Sequence, residues 1–224
     1  MTTDEVDYSD IRYDDADTLR SVLIGQKIVE IGETTGEAIE QAKHDLEHEK
    51  WEAGGKIGPE PWKSHSYNRD EYDRVLLFRL SGGMTLRAHA HDGGCGCSNG
   101  CFTVDIAEEV RAKLLGATIL SVEVEERNLD YRRLTPEDPG YDAEKDAASR
   151  IGQWAYVEGD LRGPDSSDDD SARIRVFVYT DLVPERQPLV TSEGGDNGYY
   201  GWGFHWSVDR TITITETGKR LELS

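Results

Sequence analysis

The stretch RVLLFRLSGGMTLRAHAH, residues 74–91, decides the fold of this chain. Its first strand is apolar on both faces, with Leu76, Phe78 and Leu80 on one face and Val75 and Leu77 on the other. Such a pattern is typical of a central strand that is covered on both sides. The glycine pair at 82–83 predicts a tight turn, and residues 84–91 alternate as the returning strand. The stretch therefore predicts an antiparallel hairpin in the middle of a sheet.

Helices and further strands are predicted on both sides of this hairpin. A capping-box pattern at Asp105 and Glu108 predicts a helix over 106–115. A mostly polar helical pattern begins at Glu33, and we interpret 33–70 as a helical insertion between two sheet strands. Alternating apolar runs predict further strands at 27–31, 118–126, 153–157, 173–180, 188–191, 199–209 and 210–215.

Two segments rich in charge, proline and glycine separate the later strands. They predict acidic loops at 127–150 and 162–172. Because the elements follow one another without an internal repeat, we expect residues 1–224 to form a single α+β domain. We expect a mostly antiparallel sheet with one packed helix and one inserted helix.

The formal net charge of −20 excludes several classes of function. Nucleic-acid binders need clustered Lys and Arg for phosphate contacts, so we expect no nucleic-acid partner. We expect no membrane partner, because anionic lipids repel this charge and no apolar run approaches the roughly 18 residues of a span. The N-terminus lacks the pattern of a signal peptide. These features predict an intracellular or virion protein, and a DNA mimic is an alternative use of the acidic charge.

All three cysteines lie in the glycine-rich segment that follows the hairpin. Zinc prefers four Cys and His ligands in a tetrahedron, and the candidate ligands are His89, His91, Cys95, Cys97 and Cys101. The two histidines are two residues apart on a strand and so share a face. Three thiolates with one of these imidazoles would bind Zn²⁺. Two alternatives stay open: the cysteines are small buried residues, or two of them form a redox pair.

A second zinc pattern is His44-Asp45-Leu46-Glu47-His48, which matches the H-x-x-E-H order of the inverted zinc peptidases. Its histidines lie four residues apart, on one face of the predicted helix. The alternative is a solvated helix face, because a helix so rich in charge matches short patterns by chance. The sequence contains no G-x-S-x-G elbow, GxGxxG or P-loop pattern.

An aromatic run near the end of the chain is a candidate binding surface. Residues 199–209 alternate sharply, and every second residue from Tyr200 to Trp206 is aromatic. One interpretation is a sheet face packed in the core. The other is a stacking surface for a base, a sugar or a peptide, which glycines at 201 and 203 make accessible. The residues of this surface are Asp196, Asn197, Tyr199, Tyr200, Trp202 and His205.

Three short segments resemble one known family. They are LIGQKI at 23–28, HDGGCGC at 91–97 leading into VDI at 104–106, and DNGYYG at 196–201. In order and spacing they resemble an uncharacterised family of small phage and prophage proteins. Members of that family carry a histidine shortly before adjacent cysteines, then a helix and a strand, and near the end an Asn-Gly-Tyr-Tyr turn. This chain departs from the pattern by the glycines among its cysteines, by Cys101 and by the insertion at 33–70.

The resemblance implies a phage-linked origin, one compact fold and a cysteine segment that lies near the turn at Asn197. It supplies no reaction. We therefore expect a phage-linked acidic accessory or interaction protein, with a structural metal or thiol corner, a protein partner and no catalysis. A metal-dependent hydrolase, a virion structural component and a DNA-mimic inhibitor are the alternatives. The expected location is the cytoplasm of the host cell or the virion.

Overall fold

The computed structural model of the chain describes residues 11–61, 74–90, 101–163, 171–195, 203–209, 212–214 and 221–223. This part of the chain contains two five-stranded antiparallel sheets, a two-stranded ribbon and four helices. The predicted α+β class is confirmed. The strands divide between two sheets rather than the one that we expected, and buried residues of both sheets join a single core.

The first sheet is built around the predicted hairpin. Its strands are β1 (Ile11–Arg12), β2 (Ile28–Thr35), β3 (Arg74–Leu80), β4 (Thr85–His89) and β10 (His205–Asp209). Their order across the sheet is β1-β10-β4-β3-β2, so the hairpin of β3 and β4 has neighbours on both sides. The prediction of a central hairpin is confirmed.

The second sheet is formed by the middle of the chain. Its strands are β5 (Cys101–Phe102), β6 (Ile119–Arg133), β7 (Trp154–Leu161), β8 (Ser171–Thr180) and β9 (Gln187–Gly195), in the order β5-β9-β8-β6-β7. Strands β11 (Ile212–Ile214) and β12 (Leu221–Leu223) form the separate ribbon. The helices are α1 (Ala16–Leu23), α2 (Gly36–Ala53), α3 (Glu108–Leu114) and α4 (Ala143–Ala148).

Both faces of β3 are covered, as its sequence predicts. Leu76, Phe78 and Leu80 belong to the main core, which they share with α1, α3 and the second sheet. On the opposite face, Val75 and Leu77 contact Ile39 of α2. The mostly polar inserted helix therefore covers the back of the first sheet through one buried side chain. This arrangement also places α2 over the polar face of β4.

Helix α2, at the start of the predicted insertion at 33–70, lies between two strands that pair with each other, β2 and β3. Strand β2 pairs with β3 as far as Thr35 opposite Arg74, so α2 begins after Thr35 rather than at Glu33. The hydroxyl of Thr35 accepts a hydrogen bond from the amide of Ala38 and caps the helix. Residues 62–70 lie outside the described ranges.

Two predictions of local structure are corrected. The capping box at Asp105 is wrong: α3 begins after Ala107 without a side-chain cap, and Asp105 instead binds Arg74 at 2.7 Å. The loop at 127–150 is wrong at its start, because β6 continues to Arg133 as the partner of β7. Later in the same segment α4 forms, capped by the carboxylate of Asp142. For the predicted loop at 162–172, β7 ends at Leu161 and β8 begins at Ser171, while residues 164–170 are not described.

The chain crosses between the two sheets at positions that lie side by side. It leaves the first sheet after His89 and enters the second at Cys101, and it returns after Gly195 to β10. Cys101 pairs with Gly195 in the second sheet, and His205 pairs with His89 in the first. The cysteine segment and the segment with the Asn-Gly-Tyr-Tyr turn therefore start and end beside each other. None of the helices in the described ranges combines the length and the apolar character needed to cross a bilayer.

Candidate functional site

Most of the predicted site residues lie outside the described ranges, namely His91, Cys95, Cys97, Asp196, Asn197, Tyr199, Tyr200 and Trp202. Of Cys101 only the backbone is described. His89 and His205 are described with their side chains. The structure brings these two together, although the sequence had assigned His89 to the metal corner and His205 to the aromatic surface.

His89 and His205 form a stacked pair of imidazoles. They face each other across β4 and β10, with ring centroids 4.8 Å apart and ring planes 5° from parallel. Nε2 of His89 is hydrogen bonded to Oγ of Ser207 at 2.8 Å. Alternation along the strands puts all three side chains on the sheet face that α2 covers. We call His89, His205 and Ser207 the imidazole cluster.

The surroundings of His89 keep its imidazole neutral. Burial, followed by the neighbouring His205, Arg87 and Lys43, lowers the pKa of His89 from 6.5 to about 3. These three neighbours are two cations and a second imidazole, and none of the three would stabilise an imidazolium at His89. Arg87 lies two residues before His89 on the same face and is only 7% exposed. These surroundings favour the uncharged form of the His89 ring, which stacks on His205 and is hydrogen bonded to Ser207.

The imidazole cluster has the contact of a nucleophile with its base but lacks the other properties of a catalytic pair. A serine hydroxyl within hydrogen-bond reach of an imidazole is the arrangement that activates serine nucleophiles. Ser207, however, is buried, with only 5% of its surface exposed to solvent. A base with a pKa near 3 is also a poor proton acceptor at neutral pH. The geometry therefore favours a structural role for this cluster.

The same geometry bears on the metal hypothesis. Two parallel rings do not converge on one ion, and Nε2 of His89 is already hydrogen bonded to Ser207. Among the side chains that the structure describes, no group of three or more His, Cys, Asp and Glu residues is placed to hold a metal. The side chains of the three cysteines and of His91 are not among those that the structure describes. The predicted zinc site therefore stays a prediction. His89, the candidate ligand whose side chain is described, is hydrogen bonded to Ser207 and stacks on His205.

The H-x-x-E-H pattern lies on α2 as two stacked imidazoles. The rings of His44 and His48 are 6.0 Å apart and 27° from parallel. Nε2 of His48 lies 3.3 Å from a carboxylate oxygen of Glu60, and the His48 ring also contacts Trp51. Glu47 is exposed, as the solvated-face interpretation expects. This stack belongs to the helix surface and to the turn that follows it.

The described end of the aromatic run packs in the core. Phe204 and Trp206 are buried and contact each other, with ring centroids 5.3 Å apart. Gly203 has a positive φ of 78°, and a side chain at this position would collide with the ring of Tyr13. The flat group that approaches this glycine is therefore a tyrosine of the same chain. Tyr13 also donates a hydrogen bond from its hydroxyl to Glu126, which ties β1 to the second sheet.

A second candidate site, which the sequence did not predict, lies on the second sheet. Tyr131 of β6 stands directly opposite Tyr156 of β7, and Trp154 follows on the same face. The Tyr131 centroid lies 5.0 Å from that of Tyr156 and 5.8 Å from that of Trp154. Tyr131 is 61% exposed, Tyr156 is 57% exposed and Trp154 is 44% exposed. We call Tyr131, Trp154 and Tyr156 the aromatic cluster. Its sequence signal is the alternation Trp-Ala-Tyr, which only becomes informative once β6 is extended to Arg133.

A network of ion pairs fills the sheet face beside the aromatic cluster. Glu158 accepts hydrogen bonds from Arg175 at 2.5 Å and from Arg173 at 2.6 Å. The hydrogen bond from Arg175, followed by that from Arg173, lowers the pKa of Glu158 to about 2 despite partial burial. Glu125 binds Arg127 at 3.1 Å in the same network. The aromatic cluster therefore lies at the end of a sheet face on which ion pairs of Glu158 and Glu125 with arginines connect strands of the second sheet.

Comparison with known proteins adds no relative to this description. No protein-family model matches the chain, and neither the curated proteins nor the solved structures contain a match to it. The imidazole cluster and the aromatic cluster are therefore the features from which a function can be inferred.

Proposed function

We propose that this chain is a phage-linked accessory protein that acts by binding another protein through the aromatic cluster, and not by catalysis. The observation that carries the proposal is the exposure of three large aromatic rings on one sheet face, where Tyr131 contacts both Trp154 and Tyr156. Tyr and Trp are enriched where proteins bind each other, because they supply large contact areas with few rotatable bonds. Contiguous exposed apolar side chains are also uncommon on chains that have no partner.

The rest of the described surface supports binding over catalysis. The one serine with an imidazole as its hydrogen-bond partner in the described ranges is buried beneath α2. The aromatic cluster, by contrast, is accessible and backed by the ion pairs of Glu158, so it presents a preformed surface. A preformed surface loses little conformational freedom when a partner docks. The phage link rests on the resemblance of the three sequence segments.

The first test removes the aromatic cluster. Wild type is expected to recover one specific protein from infected cells. We expect the triple variant Tyr131→Ala, Trp154→Ala, Tyr156→Ala to recover roughly tenfold less of that protein, or less still. The measurement is quantitative mass spectrometry of proteins that co-purify with the tagged full-length chain. The matched control replaces three exposed apolar residues elsewhere, Val29→Ala, Ile57→Ala and Leu182→Ala.

Equal recovery of every protein by the cluster variant and the control would contradict the proposal. Sedimentation of the same extracts separates the virion alternative from an accessory role, because a structural component travels with the particles. Loss of the chain from particles in the cluster variant alone would place the partner in the virion.

We also propose that the cysteine segment forms a structural zinc corner. The supporting observation is that the residues flanking this segment belong to different sheets, His89 to the first and Cys101 to the second, so the segment joins the two sheets. Because Nε2 of His89 is hydrogen bonded to Ser207, we assign the histidine ligand to His91, with Cys95, Cys97 and Cys101 as the thiolates. Three thiolates and one imidazole suit a closed structural Zn²⁺ site.

Elemental analysis tests the corner directly. We expect about one equivalent of zinc per chain in the wild-type protein, and its loss in the variant Cys95→Ser, Cys97→Ser, Cys101→Ser. The variant His44→Ala, His48→Ala is the control and keeps the metal. Zinc that disappears from the histidine variant and persists in the cysteine variant would instead favour the hydrolase alternative on α2. Absence of zinc and iron from the wild-type protein would contradict the proposed metal site.

A further inference from the structure

We propose that the free edge of β7 is the docking site for an extended, positively charged protein segment, which joins the second sheet as a sixth strand. This inference rests on the proposed binding function of the aromatic cluster and names the kind of partner that the cluster receives. Addition of a strand to a sheet edge is a recurring mode of peptide recognition, in which the backbone supplies affinity and alternate side chains supply specificity.

The edge itself is the first observation. Strand β7 pairs with β6 on one side, and its other side pairs with no strand in the part of the chain that the structure describes. From Trp154 to Glu158 the pairing with β6 is regular, and the register shifts only beyond this stretch. Unprotected edges invite pairing with another chain, and proteins usually blunt them. The regular stretch lies beside the aromatic cluster, since Trp154 and Tyr156 belong to it.

The two faces of this edge differ in chemistry. The aromatic cluster forms one face. Asp130 stands opposite Val157 and so points to the other face, and Asp160 lies in the register shift between Glu158 and Leu161, just beyond the regular stretch. Both aspartates are exposed, and neither is within ion-pair distance of a cation among the described side chains. The arginines nearby are occupied: Arg132 binds Asp138 and Arg133 binds Asp146.

The chemistry of the two faces defines the occupant. Successive side chains of a strand point to opposite faces, so the docked segment alternates apolar residues with Lys or Arg. The apolar residues lie over the aromatic cluster, and the cations lie near Asp130 and Asp160. The net charge of −20 steers a positive segment toward the protein. A second copy of the chain fits poorly, because β7 contains no Lys or Arg that could meet Asp130 and Asp160 of the other copy.

The test uses synthetic peptides and the full-length protein. The probe is a peptide of about nine residues, a usual strand length, that alternates Lys and Val. The first control is the same peptide with N-methyl groups on alternate amides, which keeps charge and side chains but removes backbone donors along one edge. The second control replaces Lys by Glu. We expect the probe to bind with a Kd on the order of tens of micromolar and both controls to bind at least roughly tenfold more weakly.

The location of binding is tested on the protein. We expect the probe to slow amide hydrogen exchange in β7, and the variant Asp130→Asn, Asp160→Asn to weaken binding several-fold and reduce its dependence on salt. The matched variant Glu49→Gln, Glu109→Gln removes the same charge from exposed sites elsewhere and should bind as wild type does.

The outcomes separate this inference from the proposed function. Equal binding of the probe and its N-methylated form would overturn strand addition, since charge alone would then explain the affinity. Failure of the probe, together with loss of a cellular partner in the aromatic-cluster variant, would overturn the edge site and leave the binding function standing. Sedimentation as a dimer that the aromatic-cluster variant abolishes would identify a second copy as the occupant and overturn the cationic segment.

Discussion

Acidification from pH 6.5 to pH 4.5 is expected to destabilise the wild-type protein steeply, and the variant His89→Gln is expected to remove most of that dependence. The expected slope approaches about 1.4 kcal/mol of unfolding free energy per pH unit, the value for one proton taken up on unfolding. The cause is the environment of the imidazole cluster, in which His89 stacks on His205 and is buried with Ser207 beneath α2.

The sign of this effect follows from the direction of the pKa shift. Burial and three basic neighbours lower the pKa of His89 from 6.5 to about 3 in the folded protein. Between these values the unfolded chain binds a proton at His89 and the folded chain does not. The stability contributed by the neutral ring is therefore complete above pH 6.5 and is lost as the pH falls toward 3. The ion pairs of Glu158 act in a lower window, because its pKa falls from 4.5 to about 2 in the folded state.

Urea unfolding at pH 7.5, 6.5, 5.5 and 4.5 measures this dependence. The amide of Gln has the reach to keep a hydrogen bond with Ser207 and cannot be protonated in this range. The control is His48→Gln on α2, where the ring lies beside Glu60 rather than among bases. We expect the control to follow the wild-type slope. Parallel pH profiles for wild type and His89→Gln would show that the cluster does not set the acid sensitivity.

The sequence predicted the first hairpin well because its information is local. Strands β3 and β4 follow each other through a tight turn, and the apolar pattern on both faces of β3 is visible in seven residues. What covers each face is not local information. Arg87 on the polar face of β4 is buried, on the same side of the sheet as Val75 and Leu77, which contact Ile39 of α2. Nothing in residues 84–91 indicates that a helix packs on this side.

The segment after residue 126 was predicted as a loop because composition outweighed alternation. Between Arg127 and Arg133 five of seven residues are charged or amide side chains, which usually indicates a loop. The segment is nevertheless a strand, because β7 pairs with it and its charges find partners such as Asp138. The aromatic cluster was missed for the same reason, since Tyr131 had been placed in the loop and Trp154 in a strand of unknown partner.

The metal corner with His89 and the aromatic surface with His205 were predicted as separate sites, because neither segment alone indicates that their strands pair. His89 and His205 lie on β4 and β10, which are adjacent only after the chain has passed through the whole second sheet. The resemblance to the phage family implied that the cysteine segment lies near the turn at Asn197. Cys101 pairs with Gly195, but the turn itself lies outside the described residues, so this expectation stays a prediction.

Two tryptophans give the second prediction, because substitution by alanine is expected to cost much stability at Trp206 and little at Trp154. Trp206 is fully buried and contacts Phe78 and Phe204, at centroid distances of 6.2 Å and 5.3 Å. It lies on β10, which pairs with β1 on one side and β4 on the other. We expect Trp206→Ala to lower the unfolding free energy by about 3–5 kcal/mol, the usual cost of emptying a buried aromatic site. That is a large part of the roughly 5–15 kcal/mol that stabilises a typical domain.

A third variant separates volume from hydrogen bonding at this site. Nε1 of Trp206 is buried without a hydrogen-bond partner among the described residues. Trp206→Phe removes that donor together with part of the ring, so the loss of volume is partly offset by the loss of an unsatisfied polar group. We expect it to cost about 1–2 kcal/mol, well below the alanine variant. A cost equal to that of alanine would mean that the indole N–H does have a partner in the folded protein.

Trp154→Ala is the matched substitution on the surface. The Trp154 ring is 44% exposed, and its Nε1 donates to the carbonyl of Ile151 at 2.9 Å. We expect its removal to change the unfolding free energy by less than about 1 kcal/mol while weakening partner binding. Urea unfolding of the three variants at pH 7.5 makes the comparison. A cost at Trp154 as large as that at Trp206 would mean that the aromatic cluster stabilises the fold, and its assignment as a binding surface would then be wrong.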